Sequence, residues 1–326
     1  MLTLDQYEIG AATDGDLASL LELYRALRPG ALVGDGREHW TWKFGAASSG
    51  RRVLVARANG AVVGQFAAIP RKAWILGGEQ TYANVVDSMV LPEHRGGLRR
   101  PALFARLGDA FAREFGGAPG DLCHYAFPAV EPQRLGDSGL KYELVRTLTA
   151  LVAVPEARAL DPELRVLESY DEQIRWLFDR CAGEWGASTI RDADYFRWRF
   201  ERAPGREYVP LGIYREGILR GLAVTARGDW FRPGGGLLVE WLVPSAEPEI
   251  GAALRDAVLT RAREQGLGEV ATSIPEWSPW FESFQAAGWR VHPTSTVLWS
   301  RSFHRQTRPE TLRTHWWLQL SDSDLV

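Results

Sequence analysis

Cysteine is nearly absent from this chain. Among 326 residues only Cys123 and Cys181 are cysteines, and two thiols so far apart build neither a disulfide framework nor a zinc site. That scarcity fits a reducing, cytoplasmic setting. Histidine is sparse as well: the six histidines are scattered, none at ligand spacing from another, so no metal centre is expected. No apolar run is long enough to span a bilayer, and no membrane partner is expected. The first residues, Met1 to Asp16, lack the basic and apolar regions of a secretory signal. A net charge of -3 gives no general reason to expect nucleic acid as a partner. There is no Walker loop, no dinucleotide-binding glycine fingerprint and no Ser-His-Asp signature.

What remains is a soluble-type composition, 45% hydrophobic and 24% charged, with tryptophan unusually common at 14. The length suggests two domains, and an internal repeat supports that division. "HWTWKF" at 39–44 is echoed by "YFRWRF" at 195–200. "RRVLVARANGAVVGQFAA" at 51–68 is echoed by "EYVPLGIYREGILRGLAV" at 207–224, each an apolar run, a glycine turn (Gly60, Gly217) and a second apolar run. That is a hairpin pattern. Strands ending in proline follow, "VVDSMVLP" and "LVEWLVP", then long amphipathic helix patterns at about Pro101–Phe115 and Glu247–Gln265. A short strand, a short helix ending in glycine (Gly139, Gly288) and a last strand complete each copy. The expected fold is α/β (α+β): two tandem mixed-sheet domains at about 1–155 and 163–303, with helices on both faces, and a tail at 304–326. In each copy the strand–helix–strand crossover joins parallel neighbours with a right-handed connection. Parallel strands that splay at their ends leave a cleft for a ligand.

Asp87-Ser-Met-Val90-Leu-Pro92-Glu-His-Arg95-Gly96 resembles the acidic-x-x-Val-x-Pro-x-x-Arg-Gly strand and loop of the GNAT superfamily of N-acyltransferases. The element order is similar too. So are the helix motifs Trp42-Lys43-Phe44 and Trp198-Arg199-Phe200 and the tail "HWWLQLSDSDLV", which look like those of tandem bacterial members. The resemblance implies two GNAT-like domains and acetyl-CoA or another acyl-CoA as co-substrate, with no metal. It implies a strand around Met89, Val90 and Leu91 that pairs with the pantetheine arm. A loop of Arg95, Gly96, Gly97, Leu98, Arg99 and Arg100 would wrap the pyrophosphate.

A helix N-terminus attracts a pyrophosphate through its free N–H groups and its dipole, and glycine lets the backbone approach. The family pattern has glycine where this chain has Leu98 and Arg100. Arg95, Arg99 and Arg100 supply side-chain forks that can replace backbone donors. The other reading is a solvated basic loop that no longer binds coenzyme. Pro101 suits the first turn of the helix. In the second copy "SAEPEIGAAL" has no Arg-Gly loop and places two glutamates at the helix start, where they would repel a pyrophosphate. Chemistry is therefore expected in the first copy.

Amide formation needs a neutral amine, a positioned thioester, an oxyanion donor and an acid for the departing thiolate. Asp87 is the candidate base, or else an aspartate that ties down nearby backbone. His124 and Tyr125 are neighbours on one strand, so they point to opposite faces and at most one meets the cleft. The family's tyrosine acid would fall at Leu135, which leaves that role vacant or filled by Tyr125, Tyr82 or water. Asp322, Asp324 and the terminal carboxylate of Val326 could hold a cationic acceptor or deprotonate it if the tail docks near the first cleft. Glu240, close to the position matching Asp87, is a further acceptor-binding candidate. Trp74, Trp241, Trp277 and Trp280 line an acceptor pocket or simply fill cores.

Three functional readings stay open at this point. The first is an acyl-CoA-dependent N-acyltransferase acting on a small amine. The second is a binding protein that kept the tandem fold without catalysis. The third is a transferase whose donor is an acyl carrier protein or aminoacyl-tRNA. Two copies in one chain can mimic a dimer internally, which is compatible with a monomer.

Overall fold

The computed structural model describes residues 6–45, 50–75, 77–95, 103–128 and 139–326. Two compact units emerge. The first comprises Met1–Lys72, Gln80–Val145 and Leu298–Pro309; the second comprises Ala73–Glu79, Arg146–Val297 and Glu310–Val326. The repeat in the sequence and the units in space therefore exchange short segments.

The first unit opens with β1 (Glu8–Ala11), α1 (Leu17–Leu27) and α2 (Arg37–Phe44). It continues through β2 (Arg52–Ala58), β3 (Ala61–Ile75) and β4 (Gly78–Val90). Strands β2 and β3 form the expected hairpin, turning at Asn59-Gly60, where both residues have positive φ. Helix α3 (Leu103–Phe115) crosses to β5 (Cys123–Ala126), which runs parallel to β4. Leu103, Leu107 and Phe111 recur at helical spacing and are buried. Phe111 meets Phe66 of β3 with ring centroids 5.1 Å apart, which seats α3 on the sheet. Strand β6 (Glu143–Ala153) begins in this unit. The far end of β13 (Arg290–Ser302) completes it, with Trp299–Ser302 pairing antiparallel to Ala126–Cys123. The short helix expected before Gly139 lies outside the described residues.

The second unit repeats the order. It has β7 (Leu164–Val166), α4 (Glu172–Ala182), β8 (Ala187–Thr189) and α5 (Ala193–Phe196), which runs into a π-helical turn at Arg197–Glu201. Then come the hairpin β9 (Tyr208–Arg215) and β10 (Ile218–Gly228), β11 (Gly235–Leu242), α6 (Pro248–Glu264) and β12 (Val270–Thr272). Helix α7 (Pro279–Ala286) leads into β13. Asp171, Asp192 and Ser278 cap α4, α5 and α7 by accepting from Gln173, Tyr195 and Trp280 N–H groups. Strands β11 and β12 are parallel, as the crossover requires. Strand β8, which has no counterpart in the sequence pattern, takes the end of β3 on one side and β14 (Trp316–Trp317) on the other. Helix α8 (Pro309–His315) precedes β14. No helix among the described residues is long and apolar enough to cross a membrane.

Candidate functional site

In the first unit, β4 and β5 share register only at Tyr82↔Cys123, Ala83↔His124 and Asn84↔Tyr125. Strand β5 ends at Ala126, while β4 runs on to Val90. On that extension the backbone kinks at Asp87, whose φ is 51°, a left-handed conformation rare for non-glycine residues. Side chains contribute hydrogen bonds there. Gln65 Nε2 donates to the Asp87 carbonyl at 2.7 Å, and Ala67 N–H donates to Ser88 Oγ at 3.2 Å. Just past the end of β4, Leu91 N–H donates to Val63 O at 2.9 Å. Gly64 permits this approach: a Cβ there would stand 2.8 Å from Val90 Cγ2 and 3.1 Å from Met89 O.

The kink aims the Asp87 carboxylate at α1 and α2. It accepts from Tyr24 OH at 3.0 Å, Arg28 Nη1 at 2.6 Å and Lys43 Nζ at 2.7 Å. Burial alone would raise its pKa, but Lys43 and Arg28 outweigh that effect and hold the carboxyl below its usual range. The same burial, reinforced by Asp87, pushes the Tyr24 hydroxyl well above its ordinary value. Arg28 is the half-exposed member of the cluster, with 43% of its side chain accessible against 2% for Asp87.

Past the strand, Pro92–His94 form a single 3-10 turn. Arg95 folds back and donates from Nε to Val90 O at 2.9 Å, so the first loop arginine is anchored to the end of β4. Tyr7 OH and His94 Nδ1 lie 2.9 Å apart and pin the turn. The rest of the expected phosphate loop, Gly96, Gly97, Leu98, Arg99 and Arg100, lies outside the described residues, as does Leu135. Met89 and Val90 are buried beside Gly64, and Leu91 is partly buried.

His124 and Tyr125 are both fully buried. The register sets His124 beside Ala83, four residues and about 13 Å along β4 from Asp87. Its ring packs between Phe111 and Phe303, and Nε2 lies 3.2 Å from Asp121 Oδ2. Burial lowers its pKa, against the pull of Asp121. Arg52 donates to the same Asp121 carboxylate at 3.3 Å, so this group forms a buried ion cluster under α3. Tyr125 takes the opposite strand direction, with its ring edge-on to Phe127 at 6.1 Å.

Glu240, Asp322 and Val326 come together in the second unit. Glu240 and Asp322 are fully buried and share Arg191, whose Nε reaches Glu240 Oε2 at 3.0 Å and whose Nη2 reaches Asp322 Oδ2 at 2.8 Å. Burial raises the pKa of Glu240, with Arg191 opposing and Asp322 adding to the rise. The main-chain oxygen of Val326 accepts from Arg199 Nη2 at 2.6 Å. Asp324 is partly buried in the same segment. Trp241 and Trp280 pack edge-on at 5.3 Å in the core of this unit, and Trp280 Nε1 donates to Val243 O. Trp74 and Trp277 are partly buried.

Sequence reasoning missed the partners more than the acids. Tyr24, Arg28 and Gln65 were not singled out, nor were Arg191, Asp121 and Ser321. One signal was available for Lys43 and Arg199: a cation held between two aromatic residues at the same place in both repeats.

The fold is that of the GNAT superfamily. An Enterococcus faecalis protein described as a "Probable N-Acyltransferase" superposes with a TM-score of 0.67 at 12% identity, over 92% of this chain and 74% of that one. A GCN5-related N-acetyltransferase from Anabaena variabilis gives 0.61 at 13% identity, over 91% and 73%. Saccharomyces cerevisiae N-myristoyltransferase with bound myristoyl-CoA gives 0.58 at 13% identity, over 92% and 83%. No protein-family model and no curated protein sequence matches the chain.

Proposed function

We propose that this chain is an N-acyltransferase that moves an acyl group, in the simplest case acetyl, from acyl-CoA to the amine of a small molecule, with the chemistry in the first unit. One observation carries the reading. Strand β4 continues past its shared register with β5, kinks at Asp87, and ends at Val90, whose carbonyl accepts from Arg95. Strand β5 stops pairing with β4 at Asn84 and ends at Ala126, so the stretch of β4 around Met89 and Val90 has no β5 partner, and an amide-bearing pantetheine arm can pair in its place. The structural neighbours include proteins named as acyltransferases, one with an acyl-CoA bound, which supports the same reading.

The reaction forms a C–N bond and breaks a C–S bond. The amine nitrogen attacks the thioester carbonyl, main-chain N–H groups near Met89 and Val90 steady the oxyanion, and the thiolate departs. Near neutral pH a thiolate is a tolerable leaving group, so protonation by water suffices. Asp87 enters as a positioning residue. Three donors occupy its two oxygens and its pKa is held low, which suits a fixed anion better than a proton acceptor. The amine proton then leaves through water. A cytoplasmic location agrees with the two buried free thiols, Cys123 and Cys181.

The test is turnover. Thiol release from acetyl-CoA is followed with a panel of primary amines, and the acylated product is identified by mass. Amine-dependent release with a matching product supports the reading. Release that is equal without amine, or absent with every amine tried, contradicts it.

A further inference from the structure

The two repeats treat one pair of positions differently. In the first unit Lys43, the cation of the Trp-Lys-Phe motif, donates directly to Asp87 on β4. In the second unit Arg199 holds the place of Lys43, Glu240 lies close to the place of Asp87, and Ser321 stands between them. Its hydroxyl donates to Glu240 Oε2 at 2.6 Å, and its carbonyl accepts from Arg199 Nε at 3.0 Å and from Tyr195 OH at 3.2 Å. The flanking residues are held as firmly. Asp322 accepts from Arg191, and Val326 O accepts from Arg199. Gln319 Nε2 lies 3.5 Å from Ser273 O. Trp317 stacks on Trp185 with centroids 4.6 Å apart and planes 3° from parallel.

The place where this segment lies matters. Strands β11 and β12 share register only at Gly236↔Val270 and Leu237↔Ala271. Glu240 is on β11 beyond that point, next to an irregularity opposite Val224 and Thr225. Ser273 directly follows the last residue of β12. Residues 319–321 therefore touch β11 and the residue that follows β12, close to the region that corresponds to the kinked extension of β4 in the first unit. A second feature works in the same direction. At the start of α6 the first unit's arginine-bearing approach is replaced by Glu247, which is buried and held by Arg180 and by Arg220, whose Nη2 lies 2.7 Å from Oε1. Glu247 engages two guanidinium groups at that helix start, so a pyrophosphate would have to compete with it for them.

We propose that the second unit is a peptide-binding unit whose ligand is residues 319–323 of its own chain, and that this occupant leaves one acyl-CoA site per chain, in the unit that carries Asp87. Recognition divides in two. Arg199 takes main-chain oxygens and is indifferent to side chains; Glu240 and Arg191 select the Ser321 hydroxyl and the Asp322 carboxylate. The stoichiometry rests on the acyl-CoA reading, whereas the peptide site stands without it.

Amide hydrogen exchange on the intact chain, with and without saturating acetyl-CoA, tests both parts. The coenzyme should slow exchange at residues 85–95 and leave 319–323 unchanged, with one coenzyme bound per chain by calorimetry. Two coenzymes per chain, or altered exchange at 319–323, would overturn the proposal. If acetyl-CoA protects nothing, the acyl-CoA reading fails, and the peptide site is decided by variants. Arg199→Lys and Ser321→Ala should each speed exchange at 319–323 by roughly tenfold or more, the factor expected for losing a buried hydrogen bond to a charged group, while residues 54–58 keep their rates. Unchanged exchange at 319–323 in both variants would show that this network does not hold the segment.

Discussion

Lys43 Nζ stands 2.7 Å from Asp87 Oδ2, deep in the first unit, with 8% and 2% of their side chains accessible. Each charge is tolerable there only because of the other. Arg28 shares the same carboxylate from the solvent side. The acidic residue of the GNAT-like strand is thus part of an ion cluster that fixes the kink of β4 against α1 and α2.

Removing one side of that cluster leaves the other stranded. Asp87→Asn should destabilise the fold by about 3–5 kcal/mol, the usual cost of breaking a buried pair. Combining it with Lys43→Met should recover part of the loss. Denaturant unfolding of the two variants and the parent measures this; equal stability of Asp87→Asn and the parent would refute the anchoring role.

The pH dependence follows from the sign of the shift. The folded-state pKa of Asp87 lies below its ordinary value, so its contribution is present above the unfolded pKa and is lost as pH falls through the folded one. Asp16 acts in the same direction: a hydrogen bond from Arg57 lowers its pKa to about 2. Stability should therefore fall as the pH drops from about 4 toward 2. Asp87→Asn should flatten that slope. Glu240 has the opposite sign: its raised pKa means that its ionisation costs stability as pH rises through the folded value.

Gly64→Ala probes the close approach of β3 to β4. The new methyl would meet Val90 Cγ2 at 2.8 Å, so either Val90 turns or the strands move apart, at a cost of about 1–3 kcal/mol. Because Met89 and Val90 are the proposed coenzyme strand, acetyl-CoA affinity should drop along with thermal stability. Unchanged affinity would place the coenzyme elsewhere.

His124 lies outside hydrogen-bond reach of Asp87 along the strand register. A proton-transfer role for it would cost about 100-fold or more in turnover when removed. His124→Gln should lose far less than that, and the pH–rate profile should keep its shape. A loss of proton-transfer size, without loss of fold, would restore His124 to the mechanism.

Much of the fold was legible because the chain repeats itself. The paired motifs at 42–44 and 198–200, the hairpins turning at Gly60 and Gly217, and the parallel β4–β5 and β11–β12 crossovers follow local patterns that each copy confirms in the other. Less local features were hidden. Nothing in the sequence ties Leu298–Pro309 to the first unit or makes Ala187–Thr189 a strand, because both depend on partners far along the chain. At the candidate site the acids stood out by their position on strands. Their neutralising cations did not, because Arg28 and Arg191 come from segments whose approach only tertiary packing decides. The tail was legible as aromatic and acidic, but its docking place was not. Ser321 carries no signal in sequence, yet it bridges Arg199 and Glu240.

In the proposed reaction the first unit binds acyl-CoA through the end of β4 and Arg95. Calorimetric titration of acetyl-CoA into the chain and into its Arg95→Ala variant measures it most directly. The parent should bind saturably at one coenzyme per chain, and the variant about tenfold or more weaker through loss of a charge-assisted phosphate contact. No binding to the parent, or equal binding to both, would contradict it.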